Sequence, residues 1–349
     1  MDVPKRMRGI WLTGHGGLDK LELRDDLSVP TPSPLDVLIR VAAAGVNNTD
    51  LNTRTAWYSK QDAGADDASW SGEPITFPRV QGADVCGRIV AVGSSVPKKR
   101  VGQRVLIEPC IRESGGLELE KPWYFGSECD GGFAEYTVVA ARHAYHVESE
   151  LSDVELASFP CSYSTAENML MKSDVGAADT ILVTGASGGV GSATIQLAKM
   201  RGARVFAVTT PDKSAAVLEL GAERWFDREC SLIEALGCDS IDVVIDLVAG
   251  AKWPELLDVL RPGGRYAVAG AIGGPIVELD IRTLYLKDLS FFGCTVLEPD
   301  VFKNLVRHIE SGNVGPVVSE SFSLEQIAEA QNAFMSKKHT GKIVLTIIP

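Results

Sequence analysis

The chain has 349 residues, 45% of them hydrophobic and 23% charged, with a net charge of −12. That length allows two domains and a sizeable core, and the composition is that of an ordinary globular chain. The acidic balance argues against nucleic acid or an anionic membrane surface as partner. No apolar run approaches the length of a bilayer span. Seven cysteines, an odd number at irregular spacing, read as reduced thiols of a cytoplasmic protein, and residues 1–14 are too polar for a secretory signal.

In chain order, residues 7–12 and 21–24 alternate like antiparallel strands, and 29–34 is a proline-rich loop. Residues 36–45 form a further strand and 47–52 a capped helical turn. The stretch 56–76, with its Gly, Asp and Ser residues, reads as a mobile surface loop. Strand patterns return at 87–93, 104–107 and 133–139, with 108–131 between them as a long loop. Many short strands punctuated by turns predict a β-rich, barrel-like first domain. Strand and helix then alternate from about 150, with strands at 181–184, 204–209, 241–248, 265–270 and 289–296, which predicts a doubly wound parallel sheet. Helical patterns at 299–311 and 323–336 precede a last strand, 341–348, that returns to the first domain. The expected domains are 1–155 with 297–349, β-rich and carrying substrate and catalysis, and 156–296, a Rossmann dinucleotide-binding domain.

The second domain is organised around 180–199. An apolar β-branched strand runs into Ala186-Ser187-Gly188-Gly189-Val190-Gly191, and a helix with an apolar face follows. This is the glycine-rich dinucleotide turn with alanine at its first glycine. Glycines let the backbone approach a pyrophosphate, and the helix N-terminus offers it unpaired N–H groups. Ser187, Gly188, Gly189, Val190 and Gly191 are therefore candidate cofactor contacts. The position that selects NAD or NADP lies at the end of the next strand, where an acid would bind the ribose 2′-hydroxyl. Thr209 and Thr210 stand there, followed by Lys213, and Arg228 lies further along, before the strand 241–248. These groups can donate to a 2′-phosphate, so NADP(H) is the expected cofactor. Asp212 is the counterweight: it favours NAD if it points inward, and otherwise serves as a helix N-terminal acid. Leu247 and Val248 at the end of the strand 241–248, and Ala271 and Ile272 after the strand 265–270, lie where a cofactor crosses the carboxyl edge of such a sheet. Thr165 and Lys342 complete the candidates for nicotinamide or phosphate, with Thr165 equally readable as a helix cap.

Taken together, residues 43–47 (Ala43-Ala-Gly-Val-Asn47), 78–87, 101–105, 130–136, 186–191, 260–264 and 341–344 give nearly the whole chain a resemblance to the medium-chain dehydrogenase/reductase superfamily. It looks most similar to the zinc-independent quinone oxidoreductase branch. The resemblance implies an α/β chain: a Rossmann doubly wound parallel sheet plus a β-rich GroES-like barrel domain. Zinc members use a Cys, a Gly-His-Glu motif and a second Cys. Here those positions are Asn47, Gly82-Ala83-Asp84 and Cys161. A catalytic zinc needs three protein ligands, so no metal is expected; nor do Cys110 and Cys129 make a structural site. Cys161 reads as a small buried residue near the nicotinamide or as a reactive thiol. Asn47 and Asp50 match an asparagine and an acid near the active site of the branch, and Tyr58 lies near a tyrosine of its vertebrate members. Their other readings are a helix cap for Asn47, an i,i+4 pairing with Arg54 for Asp50, and a loop aromatic for Tyr58.

His15, His143, His146, His308 and His339 are scattered without metal spacing, and His143 and His146 read as surface residues. The expectation is an NADPH-dependent, zinc-independent reductase delivering hydride to a quinone or to the β-carbon of an α,β-unsaturated carbonyl. Trp57, Tyr58, Trp123, Tyr124 and Phe125 are candidates to line a flat slot. The alternatives are an alcohol or aldehyde dehydrogenase of the zinc type, and a nicotinamide-bound sensor without turnover. A homodimer is expected from the family, through an edge strand near 289–296, which an interior placement of that strand would undo.

Overall fold

The computed structural model describes residues 3–60 and 67–347. Part of the expected 56–76 loop, 61–66, thus lies outside the described residues. The chain divides into two compact units, Met1–Cys161 with Pro316–Pro349, and Ser162–Gly315. The second division falls at 315 rather than near 296, because the segment after the last Rossmann strand is stitched to the second unit. Asn168, on the helix Pro160–Lys172, donates to the Val296 carbonyl and accepts from the Glu298 N–H, at 3.1 and 3.0 Å. The helix Val301–Glu310 that follows buries Val301, Phe302, Leu305, Val306 and Ile309.

In the first unit, a seven-stranded sheet runs Ala144–His146, Arg104–Ile107, Cys86–Val92, Asp36–Val46, Lys342–Thr346, Val318–Ser323, with Tyr136–Ala140 also pairing Asp36–Val46. The central strand, Asp36–Val46, is long and β-branched, and most of its residues are buried. It serves three partners along its length, as such a strand can when both faces are covered. The last strand pairs with it antiparallel, Ile343 opposite Val46 and Thr346 opposite Ala43. Lys342 is thereby fixed beside the end of the strand that leads into Asn47. A second sheet, Leu21–Ser28, Arg6–Leu12 and Arg79–Val80, stands apart. The expected loop at 108–131 contains a β-hairpin, Cys110–Ser114 with Leu117–Tyr124. Its signal was present: Gly115 and Gly116 both take positive φ, the requirement of a two-residue hairpin turn, between alternating segments.

The second unit is a six-stranded parallel sheet in the order Arg224–Asp227, Arg204–Thr209, Thr180–Val183, Ile241–Asp246, Leu260–Val268, Ser290–Gly293. Numbered along the chain this is 3-2-1-4-5-6, the doubly wound order that reverses beside the first strand. Ile181, Leu182, Val183, Val243, Val244 and Ile245 are fully buried, as parallel strands covered on both faces must be.

All seven cysteines are free thiols. His146 is exposed, as expected, but His143 is not: it is 1% exposed. Its Nδ1 faces Glu108 Oε2 at 2.9 Å, and its Nε2 accepts from the backbone N–H groups of Arg112 and Glu113, at 3.0 and 3.2 Å. The geometry fixes Nδ1–H toward the carboxylate and pins the hairpin to the sheet. His143→Ala would strand one buried carboxylate oxygen and two N–H groups. It is expected to lower stability by about 2–4 kcal/mol, read as a reduced denaturant midpoint, whereas His146→Ala leaves that midpoint within about 0.5 kcal/mol of wild type.

Candidate active site and cofactor edge

In the second unit the carboxyl ends of the strands gather the sequence-predicted cofactor residues along one edge. The turn after Thr180–Val183 leads to the helix Gly189–Met200, whose N-cap, Gly188, has no capping side chain. A Cβ on Gly191 would stand 2.4 Å from the Gly185 carbonyl, so only glycine closes this turn. Ser187 is buried, and Gly188, Gly189 and Val190 are partly exposed at the helix start. At the end of Arg204–Thr209 the buried Thr209 hydroxyl has no protein partner, and neither has the Thr210 hydroxyl beside it, two orphaned polar groups at the end of the strand. The Arg228 N–H donates to the Thr209 carbonyl at 2.9 Å, which brings Arg228 beside Thr210 and Lys213. Lys213 is held below the usual lysine range by burial, Asp212 opposing and Arg228 adding to the shift. Asp212 is exposed and drawn down by the Thr210 hydroxyl. These residues therefore fit a nicotinamide dinucleotide.

Leu247 and Val248 follow the next strand in a turn built by Asp246. Its buried carboxylate accepts from Thr184 Oγ1 and Tyr266 Oη, each at 2.6 Å, and from the N–H groups of Val248 and Ala249. Ala271 and Ile272 lie beyond Leu260–Val268 on the same edge, Ile272 largely exposed. Thr165 is half-buried within Pro160–Lys172, past its first turn, so it is not that helix's cap.

In the first unit the catalytic candidates meet in a buried polar cluster. Lys342 Nζ lies 2.8 Å from Asp84 Oδ2 and 3.0 Å from the Val46 carbonyl, and it also donates to Asn47 Oδ1. Its ammonium is engaged by two hydrogen bonds and an ion pair, and it is 2% exposed. Lys342 was expected to reach cofactor phosphates; its ammonium is instead spent inside the first unit. Asn47 Nδ2 donates to Asp84 Oδ2 at 2.9 Å, and Asp84 Oδ1 accepts from the Cys161 N–H at 2.5 Å. Asp50 accepts from the Asn47 N–H at 2.8 Å and the Gly82 N–H at 3.2 Å, while Gln81 Nε2 donates to its carbonyl. Arg54 does not pair with Asp50: it donates to Gln331 Oε1 and the Gly16 carbonyl. Burial pushes the Asp50 carboxyl up to about 7, against the pull of its N–H donors and of Lys342.

Two phenols border this cluster. Tyr58 is half-buried, its ring edge-on to Trp57. Burial raises its hydroxyl, which stands near Thr49 and Asn52 and feels Cys161 and Asp50. Tyr124 Oη lies 3.0 Å from Cys161 Sγ, and its ring stacks on Trp70 with centroids 5.1 Å apart. Of the remaining slot candidates, Phe125 is 1% exposed in the main core and Trp123 packs against that core, while Trp57 is exposed, with its ring against that of Tyr58. Trp70 carried no sequence signal beyond its place in a polar loop.

The positions that hold zinc in related chains do not fit a metal here. An ammonium already neutralises Asp84, Asn47 turns its amide to both Asp84 and Lys342, and burial with the nearby Asp84 pushes the Cys161 thiol up to about 12. Among the described residues no group of three or more His, Cys, Asp or Glu side chains is placed to hold a metal ion. Two predictions follow from this geometry. Lys342→Met leaves Asp84 buried and unpaired and is expected to cost about 3–5 kcal/mol, with much of that loss recovered in Lys342→Met/Asp84→Asn, as a double-mutant cycle of denaturant midpoints will read. For Asp50, the unfolded chain releases its proton near pH 4, whereas the folded chain keeps it to about 7. Its contribution to stability is complete below pH 4, is lost as pH rises to about 7 and is constant above that. Asp50→Asn, which does not titrate, removes this slope from the pH–stability profile.

Residues 33–149 match the family model for the alcohol dehydrogenase GroES-like domain, and 189–311 that for a zinc-binding dehydrogenase. Quinone oxidoreductase of Homo sapiens is 30% identical, over 98% of this chain and 98% of its own. The chloroplastic NADPH-dependent alkenal/one oxidoreductase of Arabidopsis thaliana is 32% identical over 99% of this chain and 81% of its own. A Sinorhizobium meliloti protein assigned as an alcohol dehydrogenase has a solved structure with TM-score 0.90 and 43% identity, covering 99% of this chain and 97% of that one. Among the described residues no helix is long and apolar enough to cross a membrane. The chain belongs to the medium-chain dehydrogenase/reductase superfamily and is a nicotinamide-dependent oxidoreductase acting on a small molecule.

Proposed function

We propose that the chain is an NADPH-dependent reductase that delivers hydride, without a metal, to a quinone or to the β-carbon of an α,β-unsaturated carbonyl. The observation that carries this reading is Lys342. Its ammonium fills the space between Asn47 and Asp84 where a catalytic metal would need donors. Without a metal to polarise a simple carbonyl, the acceptor must spread the incoming electron pair itself, which quinones and enones do by conjugation. The nicotinamide supplies the hydride. The first unit supplies the receiving surface: the Trp70 and Tyr124 rings as a flat apolar wall, and a phenol, Tyr58 being the one expected from sequence, to donate to the substrate oxygen. Asn47 and Asp50 act on this surface as positioning residues, because their polar atoms are held by Asp84, Lys342, Gly45 and Gly82.

NADP is favoured over NAD by the two cations near Thr209, Lys213 and Arg228, whose mutual repulsion a 2′-phosphate would relieve, and by an Asp212 that faces solvent. The relatives named for quinones and for NADPH-dependent alkenal/one reduction support the substrate class and the cofactor. The Sinorhizobium meliloti structure favours a second reading, oxidation of an alcohol. Homodimers are proposed through the edge strand Ser290–Gly293, where Phe291 is exposed near Ile281, Tyr285 and Leu286 of the preceding segment, also exposed. The free cysteines support a cytoplasmic setting.

The deciding assay follows NADPH and NADH oxidation with a p-quinone, a 2-alkenal and a saturated aldehyde, and NADP+ reduction with a primary alcohol, each with and without a chelator. Chelator-insensitive NADPH consumption with the conjugated acceptors is expected; chelator-sensitive turnover of the alcohol or saturated aldehyde alone would refute the reading. Lys213→Glu is expected to raise KM for NADPH by about 10- to 100-fold, the equivalent of one charge-assisted hydrogen bond, with KM for NADH little changed. Phe291→Lys is expected to convert a dimer to a monomer by light scattering.

A further inference from the structure

The donors around the cluster can be counted. Lys342 donates to Asn47 Oδ1 and the Val46 carbonyl and is ion-paired with Asp84. Asn47 turns its amide N–H groups to Asp84 and to the Gly45 carbonyl, the latter at 3.3 Å. Asp50 and Asp84 only accept from their neighbours. Tyr58 follows the helix Asn48–Arg54, stands near its Thr49 and Asn52, and has its ring edge-on to the exposed Trp57. Tyr124 differs. Its hydroxyl rests on the Cys161 sulfur, and sulfur is a weak hydrogen-bond acceptor. An incoming oxygen, above all one gaining negative charge, displaces that contact at little cost.

The rest of Tyr124 is held firmly. Outside the main core, its ring forms a small separate cluster with Ala83, Cys161 and Trp70. Glu128 accepts from the Tyr124 N–H at 2.7 Å with one oxygen and from the Ser71 N–H at 2.8 Å with the other. Ser127 Oγ accepts from the Trp70 N–H at 3.2 Å. The phenol is thus fixed at its backbone and along its ring, and loosely committed only at its hydroxyl. Such a fixed donor aimed where charge develops is what transition-state stabilisation needs.

We infer that Tyr124, rather than Tyr58, is the hydrogen-bond donor to the oxygen of the substrate as it gains charge, with Cys161 as the soft partner that holds the hydroxyl ready between turnovers. The inference rests on the reductase reading for its substrate, yet it assigns an oxyanion-binding hydroxyl that can be tested without turnover. No bond to Tyr124 is made or broken: its O–H donates while the electron pair arrives from the nicotinamide.

The test has two arms. In the first, p-nitrophenolate, an oxyanion with a solvatochromic band, is titrated into the full-length protein with saturating NADP+. Binding with a blue shift is expected, with affinity falling at least tenfold in Tyr124→Phe and less than threefold in Tyr58→Phe. In the second, steady-state reduction of a p-quinone is compared among variants. Tyr124→Phe is expected to lower kcat about 100-fold, the loss typical of one oxyanion donor, with KM for NADPH unchanged. Cys161→Ser places a stronger acceptor on the Tyr124 hydroxyl and is expected to turn over more slowly than Cys161→Ala, an order that a packing role alone would reverse. Equal phenolate affinity in wild type and Tyr124→Phe, no phenolate binding at all, or a greater loss in Tyr58→Phe would overturn the inference. Phenolate binding that depends on Tyr124 without quinone or enone turnover would uphold it while refuting the proposed reaction.

Discussion

The first unit depends on one buried ion pair, Lys342 with Asp84. Taking two charges out of water costs several kcal/mol apiece, and their attraction offsets this only when every remaining donor and acceptor is satisfied. Here that condition is met by Val46, Asn47 and the Cys161 N–H. The pair therefore imposes a set of positions that lie far apart in sequence. The last strand must return to lie beside Asp36–Val46, that strand must end at Asn47, and the first turn of Pro160–Lys172 must point its N–H at Asp84. The antiparallel register of Ile343 opposite Val46 is the backbone expression of the same constraint.

The two units divide the work by the kind of atom they use. In the second, the candidate cofactor contacts are largely backbone: a glycine turn, a helix start and the carboxyl ends of four strands, with a few side chains such as Thr209 and Lys213. This is why the motif is short. In the first, the candidate catalytic groups are side chains whose positions along the chain run from Asn47 to Lys342, and which only the sheet brings together.

That difference explains what the sequence made legible. The parallel sheet could be read because a strand, turn and helix of fixed spacing announce it locally, and the six strands follow in doubly wound order. The return of the last strand could be read from its β-branched run. The hairpin at Cys110–Tyr124 was missed because its alternation was judged against a loop-rich surrounding, although Gly115-Gly116 marked it. His143 was read as surface because its partners, Glu108 and two backbone N–H groups, are brought to it by strand pairing rather than by proximity in sequence. Asn47 and Asp50 were found at the site, but their commitments were not visible: whether an amide is free to meet a ligand or locked between Asp84 and Lys342 depends on groups 37 and 295 residues away. Lys342 was assigned to phosphates for the same reason, since a lysine on a final strand carries no signal of its burial.

The charge balance of the cluster adds a further constraint on the chemistry. Two carboxyl groups, Asp50 and Asp84, face a single ammonium, and Asp50 is the one lifted toward neutrality by burial. With Asp50 protonated the cluster is neutral; with it ionised the cluster carries a net negative charge beside the place proposed for a substrate oxygen. An oxygen gaining electrons is disfavoured next to that charge, and the low dielectric of a buried site magnifies the effect. On the proposed reading, the proton on Asp50 favours the incoming electron pair without being transferred to it. A group that does not touch the substrate would then set the pH range over which the site receives an anion, and the proposed donor, Tyr124, is left free of proton transfer, needing only to be fixed in place and weakly committed at its hydroxyl.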